Sequence, residues 1–371
     1  VAVLGSILII SGIAWLIAQN WHQMHPIIKV VILLGSTAVA YASGSLLRAR
    51  NYIGIGKALL VLGALLYTLS IFLIAQIYST STSFQGTAFL LLLAWVGVAI
   101  ASYIFGSGAS LSIALLEFII WLVTQFYAFV EASGRYSSIP GGILAFYLLT
   151  AGILFYGLSL LHRTNHHEFT RVYSSWTAFY FLAFSYMLSF QFVLPYLWPK
   201  NAEYSIPALV FFFALALFAL VSLIGGAIKA LNDNSVENKE LSGFFAILLV
   251  LLVLILSTFL LRDIRPGGLF GFGGASSVPM ILWAVWIFSN LIFLGVILSI
   301  IGYGTWKKIP EMVNLGIFYF GLDVATRYLG FVIDLWGYTS LSIIFISGGI
   351  ILLVGGWGIE KWRRKLIAKV R

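Results

Sequence analysis

Apolar stretches of about 20 residues follow one another through nearly the whole chain, broken by short connections that carry most of the charges and prolines. At 1.5 Å rise per residue, about 20 residues cross the ~30 Å hydrocarbon core of a bilayer. The pattern predicts spans at roughly 1–19, 27–47, 55–76, 87–105, 108–130, 141–161, 172–193, 206–229, 242–261, 279–302, 313–335 and 338–357. All eight prolines (Pro26, Pro140, Pro195, Pro199, Pro207, Pro266, Pro279 and Pro310) fall in connections or first turns. There the missing N–H and fixed φ do no harm. Such segments are far too long for barrel strands. The expected fold is therefore all-α: a polytopic integral membrane helix bundle of about twelve transmembrane helices. It forms one domain over 1–357 and ends in a basic cytoplasmic tail over 358–371.

Composition narrows the chemistry. Of 371 residues, 61% are hydrophobic and 9% charged, which leaves no room for a soluble catalytic domain. Without a cysteine there is no disulfide, thiolate metal site or redox thiol. Val1 opens inside an apolar segment, which suggests that residues precede it. That segment lacks a basic leader and a small-residue cleavage site, so it reads as a span and not as a signal peptide.

The net charge of +9 would point to nucleic acid in a soluble protein, but its distribution reads as membrane orientation. One side of the predicted topology carries Arg48, Arg50, Lys57, Arg163, Arg171, Lys229, Lys239, Lys307, Lys308 and six basic tail residues. The other carries Lys29, Arg135, Lys200, Arg262 and Arg265. Fifteen against five places both termini in the cytoplasm of a multi-pass inner-membrane protein. The short 105–108 connection is the sensitive point, because one long bent helix there would invert every later span.

Span one ends Leu16-Ile17-Ala18-Gln19-Asn20-Trp21, span three Leu73-Ile74-Ala75-Gln76-Ile77-Tyr78, and span five Leu122-Val123-Thr124-Gln125-Phe126-Tyr127. This echo is either an interfacial belt, where Gln and aromatic rings both sit well, or a two-helix unit repeated in parallel, with each Gln lining an outer vestibule. The stretch from Leu4-Gly5 through Ala18-Gln19-Asn20-Trp21 to Pro26, with the later Ile74-Ala75-Gln76-Ile77-Tyr78, resembles a family of prokaryotic polytopic membrane proteins, "domain of unknown function 2157". The resemblance is best over about residues 1–105. It implies a membrane topology and a short helical segment before the first span, and it transfers no activity.

Ionisable side chains at bilayer depth cost about 2.5–3.5 kcal/mol each on insertion scales, so each asks for a reason. Glu117 lies mid-span with no basic residue in its own helix. It must be protonated, pair with Arg327 from another helix, or face water. Asp323, Arg327 and Asp334 fall within about 40° of one another on a helical projection, an acid–base–acid stripe. That stripe is either helix glue or part of a proton, ion or substrate path. The histidines (His22, His25, His162, His166 and His167) all lie in connections, which argues against bis-His haem. The 162–168 turn, with only Glu168 to help, reads as a solvated basic turn and not as a metal site. No cofactor is expected. Pro266 to Gly274 is a glycine-rich outer connector, and Trp357 to Lys365 an anchor on anionic headgroups.

The leading expectation is a secondary transporter or translocase of a small or lipid-like molecule. Glu117, Asp323, Arg327 and Asp334 would form its charged path, and Gln19, Gln76 and Gln125 its vestibule. A non-catalytic membrane scaffold or assembly subunit is the alternative, and a membrane-embedded lipid-modifying enzyme the third, which lacks any catalytic constellation. The expected partners are membrane lipids, together with a membrane-protein partner or a second copy of the chain, and no nucleic acid.

Overall fold

Among the described residues there are ten α-helices with defined bounds, two 3₁₀ turns and no strand. The structure is a computed structural model. It describes residues 23–78, 83–132, 141–165, 167–198, 205–262 and 279–335 (331–335 by backbone alone), with single positions at 15, 19, 346, 349, 350, 357, 358, 360, 361 and 364. Apart from those single positions, the expected spans at 1–19 and 338–357, the glycine-rich connector and the tail lie outside these residues. The chain divides into two compact units, Val1–Ala128 and Phe129–Arg371.

In the first unit, α1 (Pro26–Ala49) starts with proline in its first turn and His25 as N-cap. Asn51, at φ 63°, turns the chain into α2 (Ile53–Tyr78), a backbone region in which asparagine is among the best-tolerated residues after glycine. The pair packs backbone to backbone. A Cβ at Gly44 would lie 3.0 Å from the Leu60 nitrogen, and one at Gly56 2.9 Å from the Gly44 oxygen. Ser83 caps α3 (Phe84–Ile104) by accepting from the Gly86 N–H at 3.1 Å.

The sensitive connection at 105–108 is a true turn. Gly106 sits at φ +57° and α4 (Gly108–Ala132) begins two residues later. Trp95 of α3 stacks on Trp121 of α4 at 5.5 Å, so the two helices form an antiparallel hairpin. Arg48, at the end of α1, closes this turn by donating to the carbonyls of Phe105 and Gly106 at 2.7 and 2.9 Å.

The second unit is built around α5 (Gly141–Leu161), flanked by α6 (His167–Leu188) and α7 (Ile206–Asn232). Then come α8 (Asn238–Ser257) with its 3₁₀ extension Thr258–Leu261, α9 (Met280–Trp306) and α10 (Pro310–Leu335). A second 3₁₀ turn, Leu194–Tyr196, lies between α6 and α7. Trp198, just past it, donates to the Thr258 hydroxyl at 2.7 Å.

Eight of the ten helices, all but α6 and α10, are long and apolar enough to cross a membrane. The expected count of about twelve is not confirmed. Two expected spans lie outside the described residues. Polar residues dilute the other two, Arg171 and a run of Ser and Thr in α6 and four charged residues in α10. Helix α6 also runs five residues earlier than the expected 172–193. Glu168 suits its first turn, and its end at Leu188 is fixed by distant partners described below.

The helix surfaces are inverted relative to a soluble protein. On α7 the buried positions are mostly small (Ala208, Ala219, Ser222, Gly226, Ala230), while Phe213, Phe218 and Val221 are more than 60% exposed. An aqueous surface rarely carries an apolar face of that extent, whereas lipid accepts it.

Candidate functional site

Two ends of the second unit carry polar clusters, and a cavity adjoins one of them. The 161–167, 232–238 and 306–310 connections share that end. The Lys229 ammonium donates to the Leu161 carbonyl at 2.7 Å, and Arg171 lies 3.8 Å from Glu311. At its centre is Glu240, in the first turn of α8, with a side chain 2% exposed. Its Oε1 accepts from Arg163 at 2.8 Å and from the Tyr303 hydroxyl at 2.7 Å. Its Oε2 accepts from Arg163 at 2.9 Å and faces the Lys307 ammonium at 3.1 Å. Burial works against the charged Arg163 guanidinium, but the bonded Glu240 carboxylate outweighs it and holds the group above its ordinary proton affinity. The cluster is a fully bonded ionic lock.

Beside the lock lies a cavity of about 460 Å³ within the second unit, bounded by α5, α6, α8, α9 and the start of α10. Its walls are mainly apolar, among them Phe181, Phe244, Ile247 and Ile300. Gly243 and Gly302 leave open space where a side chain would stand. Tyr156, another lining residue, is 7% exposed and has a buried hydroxyl with no hydrogen-bond partner among the described residues, its ring stacked on Phe244 at 3.7 Å. Lys239 brings an exposed cation to the rim.

At the opposite end of the unit the structure brings Asp323 and Arg327 together as expected, Nε to Oδ1 at 3.2 Å, both half-buried. It also adds partners that the sequence did not disclose. Arg327 Nη2 donates to the Ser189 carbonyl, the Ser189 hydroxyl and Asn290 Oδ1 at 2.8, 2.9 and 2.8 Å. Trp286 and Asn290 donate to the same carbonyl. Ser189 follows the last residue of α6, so three donors from α9 and α10 satisfy a carbonyl that the helix end leaves without an intrahelical partner. The side chain of Asp334 lies outside the described residues.

In the first unit Glu117 is 5% exposed, and its Oε1 is bonded to the Thr68 hydroxyl. Its Oε2 has no hydrogen-bond partner among the described residues. Gln19 and Gln76 are exposed and Gln125 is half-buried. His162 is packed against Phe169 and Tyr173, with Nδ1 2.8 Å from the Leu158 carbonyl.

The sequence reading missed the Glu240 lock. Alternation puts Arg163, Lys239 and Lys307 on the same side, and Glu240 is an acid two residues before the expected span 242–261, close to them in that topology. That coincidence was the available signal.

Residues 1–110 match the family model described as predicted membrane protein (DUF2157). The match covers α1 to α3 and the first turn of α4, so Tyr41, Arg48 and Thr68 fall inside it, and Glu117 and the whole second unit outside. No curated protein and no solved structure gives a match. The chain is a membrane protein with several apolar helices.

Proposed function

We propose that the second unit binds a lipid-like amphiphile in its cavity and that the protein moves such a molecule as a transporter or translocase. The carrying observation is the chamber of about 460 Å³ whose walls are mainly apolar, with the Tyr156 hydroxyl, unpartnered among the described residues, in its lining and the Lys239 side chain at its rim. An apolar pocket with a few convergent polar groups is the usual form of a ligand site. An acyl chain would fill the space between Phe181, Phe244 and Ile300. Its polar group would meet Tyr156 and Lys239. Arg163, Lys229, Lys239, Lys307 and Lys308 gather at this end, which supports a cytoplasmic mouth. On this reading Asp323 and Arg327 mark the outer end of the path.

The test uses the whole protein in detergent with fluorescent phosphatidylglycerol as probe. Saturable binding is expected, and Gly243→Trp, which fills the chamber, is expected to abolish it while the protein still melts cooperatively. Equal binding by wild type and variant would sink the proposal.

A scaffold remains the second reading. What favours it is that Arg327 is bonded to groups at a helix end and Glu240 is saturated by its neighbours, as helix glue would be. Normal cellular function of Gly243→Trp would favour it.

A further inference from the structure

We propose that Glu117 is a proton-binding site in the first unit: it rests as a neutral acid hydrogen-bonded to Thr68 and exchanges its proton with water. Glu117 belongs to the first unit and takes no part in the cavity of the second.

The hydrogens available around Thr68 decide which atom carries the proton. Thr68 Oγ1 lies 3.1 Å from the Ala64 carbonyl and also contacts Glu117 Oε1, yet a hydroxyl has one proton to give. Were Glu117 ionised, both neighbours would be acceptors and one contact would go unbonded. With the proton on Glu117, the acid donates to Thr68 and Thr68 donates to Ala64, so both contacts become hydrogen bonds. A buried carboxylate would further need donors at Oε2, and none is present among the described residues.

Glu240 shows what this chain does with a buried acid that stays ionised. It receives two nitrogens of Arg163, the Tyr303 hydroxyl and Lys307. Glu117 receives one hydroxyl contact and no cation among the described residues.

Its surroundings in the unit are hydroxyls and apolar groups. Tyr41 of α1 lies close enough to Glu117 and Tyr67 to feel both electrostatically, and its own hydroxyl has no hydrogen-bond partner among the described residues. The rings are seated on glycines. A Cβ at Gly63 would come within 3.0 Å of the Tyr41 ring, and one at Gly97 within 2.3 Å of the Tyr67 hydroxyl. Helix α3 contains no Asp, Glu, Lys, Arg or His. On α1 and α2, Lys29 and Lys57 stand about 18 and 16 Å along the helix from Tyr41 and Thr68. Arg48 is bonded to the Phe105 and Gly106 carbonyls. Glu131 is 14 residues on in α4 itself, about 21 Å away along the axis.

The chemistry is one equilibrium, a carboxylate plus a proton giving a carboxylic acid, with the Thr68 hydroxyl as the bonded neighbour of the proton. The experiment is infrared difference spectroscopy on the full chain in lipid vesicles, titrated with pH. A carboxylic C=O band is expected near neutrality. It should move in deuterium oxide, fade as pH rises, and be absent in Glu117→Gln. Thr68→Val should shift the band, because its bonded partner is lost, and this variant serves if Glu117→Gln does not fold. A wild-type spectrum without that band, a band that neither exchanges nor titrates, or a band indifferent to Thr68→Val would overturn the proposal.

Discussion

Arg163 holds Glu240 through both terminal guanidinium nitrogens, at 2.8 and 2.9 Å, across 77 residues of chain. The pair ties the α5–α6 connection to the start of α8. Removing one member leaves the other desolvated and uncompensated, which costs about 3–5 kcal/mol in comparable buried pairs. Glu240→Ala is therefore expected to lower the melting temperature sharply, and Arg163→Met to do so somewhat less, since Lys307 and Tyr303 stay on the carboxylate. The double variant Arg163→Met/Glu240→Leu should recover much of the loss. Thermal melts of the four proteins in one detergent form the cycle. Simple addition of the two losses in the double variant would show that the residues do not act as a pair.

Glycines give a second test, with its own internal control. Gly157 of α5 and Gly226 of α7 meet backbone to backbone. A Cβ at 157 would lie 2.5 Å from the Leu223 nitrogen, and one at 226 2.4 Å from the Gly157 carbonyl. Gly225, the next residue in the chain, has open space around its Cβ position. Gly157→Ala and Gly226→Ala should each cost about 3 kcal/mol through overpacking. Gly225→Ala should be neutral or slightly stabilising. Equal effects at 225 and 226 would contradict the close crossing.

How far the sequence carried these features depends on whether their causes are local. Helix α5 was legible to the residue, because Pro140 precedes it and a polar turn follows Leu161. The end of α6 was not legible. Leu188 is followed by Ser189-Phe190-Gln191-Phe192, with no glycine or proline to mark a stop, and the helix stops there because Ser189 is claimed by Arg327, Trp286 and Asn290 from about 100 or more residues away. The Asp323–Arg327 pair could be read from i, i+4 spacing, whereas the three donors on Ser189 could not. The same holds for Glu240. Its sequence neighbours Glu237 and Lys239 look like an ordinary charged turn, and only the packing of α5 and α9 against α8 turns one of these acids inward.

The capping role of cations can be tested at Arg48, whose guanidinium closes the α3–α4 turn from the end of α1. Arg50, two residues on, is exposed. Arg48→Met removes two charge-assisted bonds to carbonyls at a helix end, worth about 1.5–3 kcal/mol each when the acceptor is left unsatisfied. Arg50→Met removes only a surface charge. A clear drop in melting temperature is expected for the first and little change for the second. Hydrogen exchange should also quicken at Gly106 and Ser107 in Arg48→Met, whereas unchanged exchange there would remove Arg48 from the turn.

Asp323 and Arg327 are unequal partners, and mutation should expose the inequality. The carboxylate is 25% exposed and meets Arg327 through a single bond of 3.2 Å, in a geometry that a helix surface would also allow. Such a pair is worth about 0.3–1 kcal/mol. The guanidinium in addition holds Ser189 and Asn290 and lies 4.9 Å from the Phe190 ring centroid, so it joins α10 to the end of α6 and to α9. Asp323→Asn should therefore cost less than about 1 kcal/mol. Arg327→Met should cost about 2–3 kcal/mol, because the Ser189 and Asn290 oxygens lose a charged donor. Arg327→Lys should restore little, since an ammonium does not reproduce the planar fork. Denaturant melts of the three variants decide the matter. Equal losses for Asp323→Asn and Arg327→Met would mean that the ion pair, and not the capping of α6, is what Arg327 contributes.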